Sequence, residues 1–387
     1  MTDYEQYRPY AAPRQLEMLN AIREHGGINK ASKALGINIR RVFEHLQRMR
    51  ERAARMGYAP DHDMTHPAPQ GFTVKGVSTL YGPDGDVKGQ WVKTQQSAEN
   101  AQAALREAAE ALAESMPRLA PVKPPKASAE ALATVYTMTD CHVGALSWHE
   151  ETGEDWDLKI AERTLVGCYE ALISSAPASA IGVVAQLGDF LHQDGLGAVT
   201  PTSGHLLDAD GRFTKVVRVA VRTLRRMVDL ALMKHARVLV LMCEGNHDLA
   251  SSVWLRTLFA ALYENEPRVT VLDSPLPYYA YQHGSTMLAW HHGHLKKNDQ
   301  LPILFAAQFP QIWGGTKHRY AHTGHRHHVE EKEHSGMTVI QHPTLAARDA
   351  YAARGGWIAE RAATAITYHA RTGQVGRVTV TPEMLAA

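Results

Sequence analysis

The chain has only three cysteines, and they are widely spaced, at Cys141, Cys168 and Cys243. Three scattered cysteines do not build a disulfide framework, which fits a reducing compartment. Long apolar runs are also missing, since no stretch approaches the ~20 apolar residues that a membrane-spanning helix needs. The first residues, Met1 to Glu5, lack the basic and apolar regions of a signal peptide. We therefore expect a cytoplasmic protein without a membrane partner.

A strong excess of charge of either sign is absent as well, because 41 Lys and Arg residues face 40 Asp and Glu residues. The whole molecule is therefore not a polycation. The basic and acidic side chains are, however, unevenly distributed along the chain. Residues 1–60 contain eleven basic and six acidic side chains, which leaves a local net charge of +5. A small basic segment of this kind indicates a nucleic-acid partner.

Three helices are predicted within residues 1–60, namely Arg14–His25, Asn29–Leu35 and a longer one from about Asn38. A glycine follows each of the first two, as is typical of a left-handed helix cap. The third helix has apolar residues at 3–4 spacing on one side, which are Val42, Leu46, Met49, Ala53 and Met56. The arrangement resembles a helix-turn-helix domain, which implies DNA as a partner.

The polar side chains of the third helix lie off this apolar stripe, and those at its amino end are candidates for contacts with base edges or phosphates. The predicted DNA-binding residues are Asn38, Arg40, Arg41, His45 and Arg48. The alternative is a three-helix bundle for protein contacts, in which the arginines are an ordinary solvated face.

Residues 61–96 are predicted to contain a β-hairpin, with strands Val77–Tyr81 and Val87–Val92 joined by a turn at Gly82–Gly85. This hairpin is either a wing that contacts nucleic acid or a hairpin that only packs on the helices, and the sequence favours neither. Residues 97–127 combine an Ala-rich, helix-forming stretch with four prolines, which predicts a helical and extended linker.

The remaining residues, 128–387, alternate strands with helices, which is the pattern of an α/β domain. The strands Ala133–Thr139, Ile181–Leu187 and Val238–Cys243 are predicted, with helices at Leu158–Ser174 and Thr214–His235. Further strands are predicted at 269–273 and 286–290, and a C-terminal hairpin around 371–373. Ligand sites of open α/β sheets lie at the carboxyl ends of the strands.

Metal-ligand residue types follow four of these strands, a fifth cluster lies further along the chain, and eighteen of the 22 histidines lie after the linker. The five clusters are Asp140-Cys141-His142, Gly188-Asp189-Phe190-Leu191-His192, Gly245-Asn246-His247-Asp248, His291-His292-Gly293-His294 and Gly324-His325-Arg326-His327. Histidine is the commonest protein ligand for metals. One such cluster arises readily by chance, whereas the whole set in this order predicts a metal centre.

The same five clusters resemble the signature of the calcineurin-like metallophosphoesterase superfamily over residues 130–345. The resemblance implies an α/β fold, a four-layer α/β/β/α sandwich, here preceded by the small helical domain and its hairpin. It also implies two metal ions. One would be bound by Asp140, His142, Asp189 and His327, and the other by Asp189, Asn246, His292 and His325, with Asp189 bridging the two.

The chemistry of this ligand set agrees with the resemblance. Mixed carboxylate, amide and imidazole ligands suit Mn²⁺, Fe or Zn²⁺ better than Mg²⁺ or a thiolate site, and we expect Mn²⁺ as the most favoured ion. Two metal ions ~3.5–4 Å apart generate a nucleophilic hydroxide and clamp phosphoryl oxygens during an in-line displacement. The predicted activity is therefore hydrolysis of a phosphate ester.

Three assignments near the metals rest on the resemblance. His247 is predicted to be catalytic, stabilising developing charge or protonating the leaving oxygen. His192 matches a histidine that contacts the scissile phosphate in the double-strand-break-repair exonuclease branch, although a role as a hydrogen-bonding neighbour of the ligands is the alternative. Among His291, His292 and His294, the residue His292 is the predicted ligand.

These features together predict a metal-dependent nuclease, a phosphodiesterase directed to DNA by the helix-turn-helix unit. A phosphomonoesterase for protein or nucleotide substrates, and a DNA-binding regulator with an inactive catalytic domain, are the alternatives. No ATPase motif is present, so any coupling to ATP requires a separate ATPase partner, and a homo-oligomer is compatible with the sequence. The combination of domains resembles proteins encoded by bacteriophages.

Overall fold

The computed structural model describes residues 4–60, 72–81, 87–96, 121–125, 128–201 and 203–385. The chain divides into two compact units, residues 1–104 and residues 105–387. The turn predicted at 82–85 and most of the predicted linker, residues 97–120 and 126–127, lie outside the described residues. The boundaries expected at residues 60, 96 and 127 therefore remain predictions.

Three helices form the first unit: α1 (Pro13–His25), α2 (Ile28–Ala34) and α3 (Ile39–Arg55). Helix α1 begins with a proline, which suits the first helical turn, and ends at Gly26 with a left-handed φ of 71°. The side chain of Asn38 caps α3 by accepting a hydrogen bond from the backbone N–H of Arg40 at 2.8 Å. Local sequence signals therefore define these helix ends.

The core of the first unit follows the predicted apolar stripe of α3. Its buried residues are Tyr7, Leu19, Val42, Leu46, Met49 and Ala53. Met56, which was expected on the same side, is instead 43% exposed, because α3 ends at Arg55 and Met56 is already the cap residue. The stripe therefore ends one turn earlier than the sequence predicted.

The predicted hairpin is present as the antiparallel strands β1 (Phe72–Tyr81) and β2 (Val87–Gln96). Both strands extend beyond the predicted bounds. Irregularities in the register between Val74 and Gly76, and between Leu80 and Tyr81, interrupt the ladder.

The second unit is built on four parallel strands, β3 (Ala129–Met138), β4 (Ser179–Gln186), β5 (Arg237–Met242) and β6 (Val269–Val271). Strand β3 pairs with β4, β4 with β5, and β5 with β6, all in parallel. The predicted strands of this region are therefore confirmed, with each end within about four residues of the expected position.

Four helices lie between these strands in the chain. They are α4 (His149–Thr152), α5 (Leu158–Ser175), α6 (Phe213–Lys234) and α7 (Leu249–Leu262). Helices α5 and α6 pack against each other. The side chain of Asp157 caps α5 through the N–H of Ile160 at 2.7 Å.

A second sheet contains β7 (Tyr279–His283), β8 (Thr286–Trp290), β9 (His318–Thr323), β10 (Glu330–His334) and β11 (Met337–Gln341), in the order β10-β11-β9-β8-β7. Strands β8 and β9 are parallel. The helices α8 (Leu301–Gln308) and α9 (Pro310–Gly314) lie between β8 and β9 in the chain, and α10 (Ala350–Arg354) follows β11.

The chain returns to the first sheet through β12 (Ala363–His369) and β13 (Gly373–Val380), which form the predicted C-terminal hairpin. Strand β12 pairs antiparallel with β3, so the first sheet has six strands in the order β13-β12-β3-β4-β5-β6. The predicted α/β class is confirmed, with two sheets and helices in the described residues of this unit.

Three of the apolar clusters in the described part of the second unit join its layers. The largest joins the six-stranded sheet to α5, α6 and α7. A second lies between the two sheets, where Leu241 and Ile366 of one sheet meet Leu288 and Trp290 of the other. A third joins the five-stranded sheet to α8 and α9. None of the helices in the described part of the chain is long and apolar enough to cross a membrane.

Truncating Leu288 tests the packing between the sheets. Leu288 is completely buried there, so Leu288→Ala leaves a cavity, and we expect a loss of about 2–5 kcal/mol in the free energy of unfolding. Denaturant unfolding followed by tryptophan fluorescence measures it. Leu196→Ala is the matched control, because Leu196 is 92% exposed. Equal midpoints for the two variants would contradict the packing described.

Candidate metal centre

All nine predicted metal-binding and catalytic residues lie in loops that follow parallel strands. Asp140 and His142 follow β3, Asp189 and His192 follow β4, and Asn246 and His247 follow β5. In the other sheet, His292 follows β8, and His325 and His327 follow β9. Parallel neighbours end at the same edge of a sheet, and the two edges meet at this point.

The backbone is unusual at five of these residues. In the described residues, the non-glycine residues with positive φ are Asp140 (50°), His142 (42°), Asp189 (49°), His325 (71°) and His327 (58°). L-residues rarely adopt this conformation, and such strain is concentrated at functional sites, where the surrounding structure enforces it. The strain at this centre coincides with the predicted ligands.

The first group of ligand atoms is formed by Asp140, His142 and His327. Nε2 of His327 is 3.1 Å from Oδ1 of Asp140, and Nε2 of His142 is 3.4 Å from Nε2 of His327. One ligand atom from each of the three residues lies within 4.8 Å of the others. This spacing suits a single metal ion bound by all three.

The second group is formed by Asp189, His292 and His325, again within 4.8 Å of one another. Nε2 of His292 lies 3.2 Å from Oδ2 of Asp189 and 4.0 Å from Oδ1 of Asp140, so it connects the two groups. Asn246 belongs to the same region, and its buried side-chain oxygen has no hydrogen-bond partner. An unpaired buried carbonyl oxygen fits a metal ligand.

The three neighbouring histidines have different surroundings. Nδ1 of His292 is 2.8 Å from the carbonyl of Leu187, which directs Nε2 towards the carboxylates. Nδ1 of His291 contacts the carbonyl of Pro277 at 3.1 Å. The His294 ring is 5.2 Å from that of His292, but neither His291 nor His294 belongs to a ligand group. The geometry therefore favours His292, the residue that the sequence singled out.

His192 and His247 lie beside the first group. Nδ1 of His192 is 3.3 Å from Nδ1 of His142, and the carbonyl of His192 is 2.9 Å from Nδ1 of His247. The N–H of His247 donates to Oδ1 of Asp189 at 2.8 Å. His192 is buried, and its ring is in hydrogen-bonding reach of a predicted ligand, which is the arrangement expected of a residue that orients a metal-bound histidine.

Burial and mutual charge shift the pKa values of these groups. Burial raises the pKa of Asp140, but the charges of His327 and His292 outweigh it and hold that pKa well below its usual range. His292 lowers the pKa of Asp189 in the same way, again against burial. Burial lowers the pKa of His292, yet Asp189 and Asp140 overcome it and raise that pKa to about 9. The carboxylates are therefore anionic and demand positive charge nearby.

The pKa values of three other histidines at this centre, His142, His192 and His325, are shifted downwards. Burial lowers the pKa of His142 well below its usual value and that of His192 to about 4, and burial also lowers the pKa of His325. These imidazoles are neutral at neutral pH, which is the form that binds metal ions. The buried carboxylates, the neutral imidazoles and the unpaired oxygen of Asn246 together fit a pair of divalent cations.

Close backbone approaches shape the centre, and they occur at the glycines that open two of the clusters identified in the sequence. A Cβ on Gly245 would overlap the Asp189 carboxylate, and one on Gly324 would overlap Asp140 and Thr139. The Thr139 hydroxyl donates to Oδ2 of Asp140 at 2.5 Å. Only glycine fits at these two positions, because the ligand carboxylates occupy the space of a side chain.

Two acidic residues that were not among the predicted site residues, Asp248 and Asp194, accept hydrogen bonds from the backbone around the metal centre. The Asp248 carboxylate accepts hydrogen bonds from the N–H groups of Asp189, Phe190, Leu191 and Gly245. Burial raises its pKa to about 7. Asp194 accepts from Ala250 and Ser251 at 2.7 Å and so caps α7. Asp248 closes the Gly-Asn-His-Asp motif, which was the signal available in the sequence.

The five predicted DNA-binding residues lie in the first unit, four on α3 and one, Asn38, at its N-cap. Arg40, Arg41 and Arg48 are exposed, and His45 is half-buried. Arg40 forms an exposed ion pair with Glu44 at 3.4 Å, a kind of pair that stabilises little. The acceptor oxygen of Asn38 is engaged in capping α3. The three arginines are thus available to a ligand, whereas Asn38 has a structural role as well.

No protein-family model and no curated protein sequence matches the chain. Among solved structures, a predicted phosphoesterase from Streptococcus pneumoniae is 12% identical over 66% of this chain and 92% of that chain, with a TM-score of 0.30. An archaeal phosphodiesterase is 11% identical over 64% of this chain and 99% of that chain, with a TM-score of 0.33. Vps29 from Entamoeba histolytica, complexed with zinc, is 12% identical over 65% and 99%, with a TM-score of 0.26. Likeness at these TM-scores establishes neither the fold nor an activity.

Metal binding is expected to release protons. In the metal-free protein, His292 is protonated at neutral pH because its pKa is about 9. A metal ion binds only the neutral imidazole, so binding displaces about one proton from His292, and the apparent affinity falls as the pH is lowered. Calorimetric titration with Mn²⁺ in buffers of different ionisation enthalpy measures the number of protons.

His292→Asn should reduce the protons released by about one, whereas His149→Asn, which changes an exposed histidine elsewhere, should leave the number unchanged. Binding heats that do not depend on the buffer would contradict this description of the site.

Proposed function

We propose that the chain is a metal-dependent phosphodiesterase that acts on DNA. Two divalent ions, most favourably Mn²⁺ and otherwise Fe or Zn²⁺, would be held by Asp140, His142, Asp189, Asn246, His292, His325 and His327. The proposal includes a four-layer α/β/β/α arrangement of the metallophosphoesterase type for the second unit. It also includes a helix-turn-helix role for the first.

The observation that carries the proposal is the adjacency of the two ligand groups. Oδ1 of Asp140 is 3.1 Å from Nε2 of His327 and 4.0 Å from Nε2 of His292, which is itself 3.2 Å from Asp189. Two buried carboxylates within one shared cluster of imidazoles repel each other unless cations separate them. Metal ions at these positions would activate a water molecule and polarise the phosphoryl oxygens of a phosphate ester.

The residues of the chain orient this chemistry. Nδ1 of His292 is hydrogen-bonded to the carbonyl of Leu187. The N–H of His325 donates to both carboxylate oxygens of Asp140, at 2.9 and 3.1 Å. These contacts fix the direction of each ligand before any cation arrives. Such preorganisation is what a metal site requires in order to bind with little rearrangement.

His247 is the proposed acid. The carbonyl of His192 accepts a hydrogen bond from Nδ1–H of His247, so Nε2 is the ring nitrogen that is left to exchange a proton. Its backbone N–H is fixed on Asp189. A proton held at Nε2 would pass to the leaving oxygen or stabilise charge on the phosphoryl group. His192 would then position His142 and His247 rather than act on its own.

DNA is proposed as the substrate because of the first unit. The arginines Arg40, Arg41 and Arg48 are exposed on one helix, and the segment that contains them carries a net charge of +5. Phosphate neutralisation by such side chains supplies most of the affinity for DNA. A separate ATPase partner and a homo-oligomer are compatible with this function.

A comparison of ester classes tests the reaction. With Mn²⁺, the chain should hydrolyse DNA and a bis-aryl phosphate diester, and it should act poorly on an aryl phosphate monoester. Asp189→Asn removes a ligand carboxylate and should lower the rate by more than about a hundredfold. Asp299→Asn, at an exposed aspartate, is the matched control and should keep the native rate. Activity confined to monoesters would show a phosphomonoesterase instead.

Charge removal on α3 tests the choice of substrate. The triple change Arg40→Gln, Arg41→Gln and Arg48→Gln should weaken duplex binding. It should also reduce the slope of log affinity against log salt by about 0.9 for each phosphate that the variant no longer neutralises. Arg14→Gln on α1 is the control in the same unit. If the salt slope of the triple variant is unchanged, α3 does not contact DNA phosphates.

A further inference from the structure

The hairpin of the first unit leaves a tryptophan uncovered. Trp91 on β2 pairs with Ser78 on β1, and residues two apart on a strand share a face, so Gly89 lies beside it. Gly76, diagonally across the hairpin, is equally small. None of these neighbours covers an indole ring, and Trp91 is 60% exposed. A large flat apolar surface is therefore open to a ligand on this face.

The hairpin does not use this tryptophan to pack on the helices. A hairpin whose only purpose was packing would bury its largest apolar side chain. The apolar core of the unit contains none of the described hairpin residues, although α3 packs against β1. Leu80 is exposed as well, at 54%. Trp91 and Leu80 thus remain at the surface of a hairpin that is already attached to the unit.

The charge of the hairpin indicates what this face attracts. The described strands contain Lys75, Lys88 and Lys93 and no acidic residue. Lys93 is exposed and lies two residues from Trp91, on the same face. The acidic residues Asp84 and Asp86 lie between the two strands in the sequence, outside the described residues. Lys93 gives the face of Trp91 a positive charge, and the other two lysines make the described strands basic as a whole, which favours a polyanion as the ligand.

We propose that this hairpin binds single-stranded DNA, with Trp91 stacked on an unpaired base and Lys93 in contact with the neighbouring phosphates. Stacking needs a base whose face is free, which a regular duplex does not offer, whereas a single strand offers one at every nucleotide. The inference shares with the proposed function only the choice of DNA as partner. It adds single-stranded DNA as a ligand of the hairpin, beside the duplex that α3 is proposed to bind.

Binding of the metal-loaded full chain to nuclease-resistant phosphorothioate oligonucleotides, followed by fluorescence anisotropy, tests the proposal. Trp91→Ala should weaken binding of a single strand by roughly tenfold and binding of a duplex far less. Trp91→Phe keeps an aromatic ring and should restore most of the affinity. Trp148→Ala removes an equally exposed tryptophan, also 60%, from the second unit and should change nothing.

Lys93→Gln should weaken binding of both forms and lower the salt slope for a single strand by about 0.7. Native single-strand affinity in Trp91→Ala would overturn the proposal while leaving DNA as the substrate. A native chain that binds no DNA in any form would overturn both. If Trp91→Ala changes the sedimentation mass but not the DNA affinity, the face is a contact between two copies and the proposal is wrong.

Discussion

The centre of the second unit depends on the burial of two carboxylates, Asp140 and Asp189, side by side. They are 0% and 2% exposed, and each remains anionic because positive imidazoles surround it. Charges of one sign in a protein interior need compensation of several kcal/mol per ion. Protonated His292, whose pKa is raised to about 9, supplies part of it, and divalent cations would supply it more completely. The two buried carboxylates therefore require compensating positive charge at the place where the edges of the two sheets meet.

The rest of the structure serves to keep those carboxylates in place. The ligands with left-handed backbones, Asp140 and Asp189 among them, hold strained conformations because the adjoining strands are buried and fixed. Asp248 binds the amides of the loop that carries Asp189, and Gly245 and Gly324 let neighbouring loops approach to van der Waals distance. A strained loop that is pinned from several sides keeps its side-chain directions. The packing of the two sheets thus fixes the loops, and the fixed loops set the positions of the ligand side chains.

Much of this arrangement could be predicted from the sequence, because short buried strands such as β4 and β5 are marked by apolar runs, and ligand residues follow them directly. Other features carried no such signal. Strand β10, with the sequence Glu-Glu-Lys-Glu-His, lies at the edge of its sheet. Its side chains are all polar, so no apolar residues mark it as a strand in the sequence. The role of Asp248 depends on the amides of Asp189, Phe190 and Leu191, which are 59, 58 and 57 residues away in the sequence. Such contacts arise only when distant loops converge, so local patterns do not encode them.

Anomalous diffraction from crystals grown with Mn²⁺ would test the central claim most directly, since it locates metal ions without assuming an activity. We predict two peaks, one among Asp140, His142 and His327 and the other among Asp189, Asn246, His292 and His325. Crystals with no peak within bonding distance of Asp140 or Asp189 would contradict the claim.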